Sequence, residues 1–369
     1  MPVEANGAFT LILEPVKRCN LRCRYCYSDG AGAGVMSPET LRTALEKAVR
    51  YAGRQGFREI HLLWHGGEPL LAGLGFFQAA IKILHGLAPD LKFRHYLQTN
   101  GLLLDDNFGA FFHDHEFQIG ISLDGPPALH DSMRTGADGQ GTHAAVLGKV
   151  RLLEKQGVPV GFNAVVTRGS LGQEEAIYRY FQGLGHGFRL NPMIPGRNPE
   201  TSAPFLLKPG EYGTFLCRLF DVWAGTESRR VPVSPLNLYL EAIAGGAPYE
   251  CQQRRTCAGS HLGVKPSGDA VLCSRFETHP LGNIHDREIE ALVALPFCED
   301  SRRRAGALSD CQKCLHRPIC HGGCPLNALV FSQDHMAKDP FCKDYQLIFA
   351  KIHRALAGLQ TKSPACPEP

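Results

Sequence analysis

No run of apolar residues in the 369-residue chain approaches the roughly 20 that a membrane span needs. The opening residues, MPVEANGAFTLILEP, lack the basic stretch and long apolar segment of a secretory signal. Charge of one sign is also missing. Lys and Arg number 39 against 36 Asp and Glu, and the balance of +3 gives no argument for nucleic acid or an anionic membrane as partner. Internal repeats and low-complexity tracts are absent. What remains is ordinary for a globular protein, with 44% hydrophobic and 20% charged residues. The length suits about two domains, or one large α/β barrel with an addition. The cytoplasm is the expected compartment.

Against that background, fourteen cysteines stand out. Disulfides are a poor explanation in a reducing compartment, and the chain is far larger than the small scaffolds that need many. Metal binding or catalysis explains them better.

From residue 9 to 194, strand-like and helix-like segments alternate. Strands are expected at 9–15, 59–64, 93–101, 117–125, 158–167 and 188–194. Helices are expected at 37–53, 75–87, 107–115, 142–157 and 172–185. The first helix reads Ser37 as N-cap, Pro38 in the first turn and Gly53 as its end. Six such repeats predict parallel strands with helices outside, too few for a closed eight-stranded barrel but enough for a partial one. Ligand chemistry then belongs at the carboxyl ends of the strands. The conspicuous loops CNLRCRYC, HGGEP, QTNG and SLDG each follow a strand. Residues 195–250 read as a Pro/Gly-rich linker and two helices (210–225 and 235–245). From Cys251 to about 350 the chain is cysteine-dense with little periodic structure, as metal-held segments are. A tail, 351–369, follows.

CNLRCRYC places Cys19, Cys23 and Cys26 at C-x3-C-x2-C. Thiolates suit zinc or iron–sulfur clusters. A structural zinc site needs a fourth ligand, for which His61 or His65 is near in sequence. A cubane offers another solution: three cysteines hold three irons and the fourth iron stays open. C-x3-C-x2-C with an aromatic residue, Tyr25, before the last cysteine resembles the radical S-adenosylmethionine (SAM) enzymes. The resemblance implies that the open iron chelates the cofactor's methionine part, and that one electron yields a 5′-deoxyadenosyl radical. It assigns Gly66, Gly67 and Glu68 of GGEP to the methionine amino group and Arg134 to its carboxylate. Ser122 falls to the ribose hydroxyls, with Gln98 in the same mouth.

The later cysteines, Cys251, Cys257, Cys273, Cys311, Cys314, Cys320, Cys324 and Cys342, resemble the SPASM extension of that family. The implied fold is a partial (β/α)6 radical-SAM barrel with a C-terminal iron–sulfur SPASM domain, and the implied cofactors are SAM and three [4Fe–4S] clusters. By that pattern Cys251, Cys257, Cys273 and Cys324 hold one auxiliary cluster, and Cys311, Cys314, Cys320 and Cys342 the other. Spacing alone would instead group Cys311, Cys314, Cys320 and Cys324 in a zinc-ribbon-like site. Cys217, Cys298 and Cys366 are left over. The auxiliary clusters are expected to carry an electron out of the substrate radical or to hold the domain together.

The loop order also resembles anaerobic sulfatase maturases, which oxidise a Cys or Ser of a partner protein to formylglycine. One position departs: those enzymes carry an Asp, the expected proton acceptor, where this chain has Ser274. A serine hydroxyl is a poor base at neutral pH, and nothing shows Glu277 taking its place. The first expectation is therefore a maturase that cross-links a ribosomally made peptide (cyclophane or thioether). Sulfatase maturation comes second, and oxidation or epimerisation of a small molecule third. The expected partners are a peptide or protein substrate and a flavodoxin- or ferredoxin-type electron donor, with no nucleic acid and no membrane. A first strand near residue 9 leaves no room ahead of it for a leader-binding domain.

Overall fold

Helix α1 (Pro38–Gln55) begins where the sequence predicts: the Ser37 side chain accepts from the Thr40 N–H at 3.0 Å, and Pro38 occupies the first turn. It ends later than predicted. Gly53 lies inside the helix, and Gly56, at φ 75°, is the residue that takes the left-handed C-cap.

The computed structural model describes residues 7–28, 30, 34–87, 91–246, 250–275 and 279–360; Glu277 and Cys366 fall outside them. Strands and helices alternate as β1 (Ala8–Leu13), α1, β2 (Glu59–Trp64), α2 (Leu74–Leu87), β3 (Lys92–Thr99), α3 (Asp106–Asp114), β4 (Gln118–Ser122), α4 (Pro127–Met133), α5 (His143–Lys155), β5 (Val160–Val166), α6 (Glu174–Leu184) and β6 (Phe188–Pro192). Then come α7 (Pro199–Ser202), α8 (Glu211–Ala224), β7 (Val233–Ser234), α9 (Leu236–Ile243), β8 (His261–Val264), β9 (Asp269–Val271), β10 (Gly282–Asn283), α10 (Ile289–Val293), α11 (Pro296–Ala307), α12 (Arg317–Cys320), α13 (Pro325–Ser332) and α14 (Cys342–Gln360). Among the described residues no helix is long and apolar enough to cross a membrane.

Two compact units interleave along the sequence. The first takes the chain up to Ala164, with Ile194–Pro204 and Thr256–Arg303. In it β1 to β5 pair in order, all parallel. Strand β8 adds to the outer side of β1, also parallel, and β9 and β10 continue antiparallel. The Cys251–350 segment thus contributes strands that periodicity did not reveal. They are two to four residues long, too short for alternation to register. The core of this unit is aromatic, with Phe77 edge-on to Trp64, Phe108, Phe112 and Phe117. The second unit comprises Val165–Met193, Phe205–Arg255 and the chain from Arg304 onward. It pairs β6 with β7 and packs α8 against α6 and α14. The Asp344 carboxylate accepts from the Gly210 and Gly213 N–H groups at 3.1 and 2.7 Å, tying α14 to the start of α8.

Candidate active site

In the first unit the carboxyl ends of β1 to β4 converge on the thiol loop. Cys19, Cys23 and Cys26 follow β1 on a segment without regular structure. The loop is pinned by Arg22 and Arg24, whose N–H groups donate to the Thr135 and Met133 carbonyls at 2.9 Å. Cys19 and Cys23, and Cys23 and Cys26, lie within electrostatic range of each other. Burial pushes the Cys19 and Cys23 thiols up to about 11, so a lone thiolate is disfavoured there. A cationic cluster would reverse that preference. Two N–H donors already face Cys19 Sγ: the Leu21 backbone at 3.4 Å and Asn100 Nδ2 at 3.7 Å.

The GGEP turn is seated against the stem of this loop, backbone on backbone. The Gly67 and Glu68 N–H groups donate to the Val16 and Arg18 carbonyls at 3.0 and 2.9 Å. A Cβ on Gly67 would stand 2.2 Å from the Lys17 and Arg18 carbonyl oxygens, and one on Gly66, at φ 122°, 2.8 Å from that of Val16. Both glycines are thus demanded by the protein's own backbone. Glu68 differs from the sequence expectation. Its fully buried carboxylate is turned inward, accepting from Thr99 Oγ1 (2.7 Å), Asn100 N (2.8 Å) and Leu70 N (3.1 Å). Burial pushes it up to about 7, against the pull of those donors. Asn100 then reaches Asn20 Oδ1 at 2.8 Å, so three loops share one network.

Gln98 and Ser122 meet as expected: Gln98 Nε2 donates to Ser122 Oγ at 3.0 Å. Asn163 of β5 extends this polar row by donating to Gln98 Oε1. Gly120 leaves the space, since a Cβ there would stand 2.6 Å from Gln98 Oε1. Arg134 makes a buried two-point ion pair with Asp124, and Tyr25 donates its hydroxyl to the same carboxylate. Burial works against the Arg134 charge, but Asp124 overrides it and keeps the guanidinium protonated. The Arg134 guanidinium also sits 5.3 Å from the Tyr25 ring centre. Behind it, His130 Nδ1 accepts from the Asp124 N–H at 3.3 Å, which places the proton on Nε2, 3.0 Å from Thr142 Oγ1. Thr142 Oγ1 in turn donates to the Arg134 carbonyl at 3.2 Å.

Sequence reasoning missed Asp124, Asn100, Asn163 and His130. SLDGP and QTNG lie inside loops already singled out, and a polar residue next to a noted one was the available signal. Neither histidine weighed as a zinc ligand is placed with the thiols by a hydrogen bond. His61 Nε2 lies 2.9 Å from Glu59 Oε1, and burial pushes His65 down to about 4, with Arg275 adding to the effect. Cys273 and Ser274 follow β9, and Cys273, Arg275, Glu14 and Cys26 all act electrostatically on Tyr27.

In the second unit Cys311, Cys314, Cys320 and Cys342 lie within electrostatic range of one another. Burial pushes Cys320 up to about 12. The neighbouring turn is built by Asp339, which accepts from Cys324 N (2.7 Å), Phe341 N (2.9 Å) and Asn327 Nδ2 (3.0 Å). Arg304 donates to the Gly322 and Gly323 carbonyls at 2.9 and 2.7 Å. Cys257 belongs to the first unit with Cys273; Cys251 belongs to the second with Cys324. His321 Nδ1 is engaged with the Gln253 carbonyl (2.9 Å), and His316 stacks on His353. Cys298 is fully buried in α11 and Cys217 half-buried in α8. Among the described residues no three His, Cys, Asp or Glu side chains converge as one bound ion requires. Thiolates around an eight-atom cubane stand farther apart than that, and the looser groupings fit the larger group.

The chain matches the model of the Radical SAM superfamily over residues 13–181. It is 31% identical to the serine-type anaerobic sulfatase-maturating enzyme of Klebsiella aerogenes, across 93% of this chain and 85% of that one. It is 28% identical to the cysteine-type enzyme of Clostridium perfringens (strain 13 / Type A), across 92% and 95%. A solved structure described as native anSMEcpe with bound AdoMet and Kp18Cys peptide superposes with a TM-score of 0.85 at 25% identity, covering 96% of this chain and all of the other. With such a likeness sustained along nearly its whole length, the chain belongs to the radical SAM superfamily and, within it, to the family of the anaerobic sulfatase-maturating enzymes.

Proposed function

We propose that this radical SAM maturase oxidises a Cys or Ser side chain of a partner protein or peptide to an aldehyde, formylglycine. The observation that carries the reading is the full-length likeness to both serine- and cysteine-type sulfatase-maturating enzymes. It reverses the order reached from the sequence, where a peptide cross-link stood first. Cys19, Cys23 and Cys26 would hold a [4Fe–4S] cluster with one open iron. When bound there, SAM supplies a hydrogen-abstracting 5′-deoxyadenosyl radical. The chain's own part is positional. Gln98 and Ser122 offer a polar row at the ends of β3 and β4 for ribose hydroxyls, and Arg134, fixed by Asp124, offers charge to a carboxylate. Cys311, Cys314, Cys320 and Cys342 would hold one auxiliary cluster, and Cys251, Cys257, Cys273 and Cys324 a second.

Ser274 favours the second reading, an oxidative cross-link in a ribosomally made peptide, because no carboxylate follows Cys273 to take the substrate proton. One experiment separates the two. Reduced holoenzyme is incubated with SAM and a peptide bearing a sulfatase-type Cys or Ser, and the product is treated with a hydrazide. A hydrazone at that residue supports formylglycine. Loss of two hydrogens without an aldehyde establishes the cross-link. Turnover without 5′-deoxyadenosine removes both.

A further inference from the structure

The second unit carries a surface pocket of ≈ 370 Å³ lined by Arg255, Arg317, His321, Pro318, Ala305 and Gly306. Arg317 and Cys320 bound helix α12, and His321 caps it, so the pocket's cations lie on the segment that carries two of the four grouped thiols. Arg317 Nη1 donates to Gln312 Oε1 at 2.6 Å, a neutral partner that leaves its charge intact. Asp310, the acid of this segment, is paired with Lys338 at 3.2 Å. Beside Cys314 stands Leu315, 91% exposed, the most exposed large apolar side chain among the described residues. A single exposed leucine is ordinary. One placed next to a thiol, between exposed Lys313 and Arg317, has the makeup of a small transient interface: an apolar centre with a charged rim.

We propose that this surface docks a small acidic one-electron carrier protein, of the flavodoxin or ferredoxin class, which removes the electron released by substrate oxidation. The proposal rests on the reading that Cys311, Cys314, Cys320 and Cys342 hold a cluster. The balance is simple. Two hydrogens leave the substrate, one as an atom that ends in 5′-deoxyadenosine and one as a proton plus an electron. The carrier gains that electron, and no bond forms or breaks at the docking surface. Opposite charge steers the encounter, and electron tunnelling, which falls steeply with distance, favours docking over the segment that holds the thiols.

The test uses reconstituted holoenzyme and a purified oxidised flavodoxin, without SAM or peptide, so it does not depend on which product the enzyme makes. Affinity is measured by calorimetry across ionic strength, and oxidation of the pre-reduced enzyme by stopped-flow absorbance. The wild type should bind more weakly as salt rises. The Arg255→Glu/Arg317→Glu double variant should lose about ten-fold or more in affinity and in second-order rate at low salt, with a flattened salt dependence. Leu315→Ser should weaken binding without changing the salt slope. Oxidation by a small neutral quinone should be unchanged in both variants. Unchanged flavodoxin affinity and salt slope in the double variant, with about twelve irons per chain retained, overturns the docking surface alone. Only four irons per chain overturns the auxiliary-cluster reading with it. Equal displacement of flavodoxin by duplex DNA reassigns the surface to nucleic acid.

Discussion

Arg134 and Asp124 face each other as a buried two-point ion pair, Nε to Oδ2 at 3.0 Å and Nη2 to Oδ1 at 3.2 Å. The two groups are 7% and 3% exposed, so neither has water to fall back on. Removing one partner of such a pair costs about 3–5 kcal/mol, because the other charge stays buried and unpaired. Asp124→Asn should therefore lower the thermal midpoint markedly and weaken SAM binding, read by scanning fluorimetry and equilibrium dialysis. Unchanged values for both would mean that Arg134 is held by something other than Asp124.

Gly67→Ala should be far more damaging than its size suggests. The new methyl group meets two backbone carbonyls of the thiol-loop stem, which cannot rotate away as a side chain would. Expected is loss of the N-terminal cluster, about four irons per chain, with the remainder retained. Gly75→Ala, at a position where a Cβ meets nothing within 4 Å, is the control.

Asn100→Ala removes donors to Asn20 and Cys19 while leaving the backbone bond to Glu68 in place. A stability loss of about 1 kcal/mol is expected. Loss of an N–H···S donor should also shift the reduction potential of the N-terminal cluster downward. Potentiometry followed by electron paramagnetic resonance reads the shift.

The pH dependence of stability should carry the signature of His130. Burial pushes this ring down to about 4 in the folded protein, against about 6.5 when unfolded. Between those values the unfolded chain binds the extra proton. The contribution is therefore complete above 6.5 and is lost as the pH falls toward 4. From pH 7 to 5 it amounts to about 2 kcal/mol. Burial also pushes His65 and His95 down to about 4, and they add slopes of the same sign. His130→Gln should remove only its own share, measured as the change in urea midpoint between the two pH values.

Ser274→Asp places a carboxylate where the sulfatase maturases have one. If the reaction is formylglycine formation limited by proton removal, the aldehyde yield per 5′-deoxyadenosine should rise about ten-fold or more. An unchanged yield would locate the proton acceptor elsewhere in the first unit.

The strands of the first unit and the order of their loops were legible because periodicity and turn residues are local signals. Strand β2 falls on the predicted residues 59–64. The roles of the loop residues were less legible. Glu68 reads as a ligand contact in a four-residue motif, yet its carboxylate is turned toward Thr99 and Asn100, some thirty positions away in sequence. That direction depends on which loops become neighbours, and no local pattern encodes it. Asp124 escaped notice for the same reason: its partners Tyr25 and Arg134 lie on either side of it in sequence and meet only in the fold. Strand β8 joins β1 from some 250 residues downstream, a pairing set by long-range packing.

The seating of Gly67 on Lys17 and Arg18 has a mechanical meaning. Main chain pressed on main chain cannot slide by a rotamer change, so the turn and the thiol loop must travel as one piece or stay still. Any breathing that admits a substrate therefore has to come from segments beyond this clasp, and a graft of either loop into another scaffold would have to carry both.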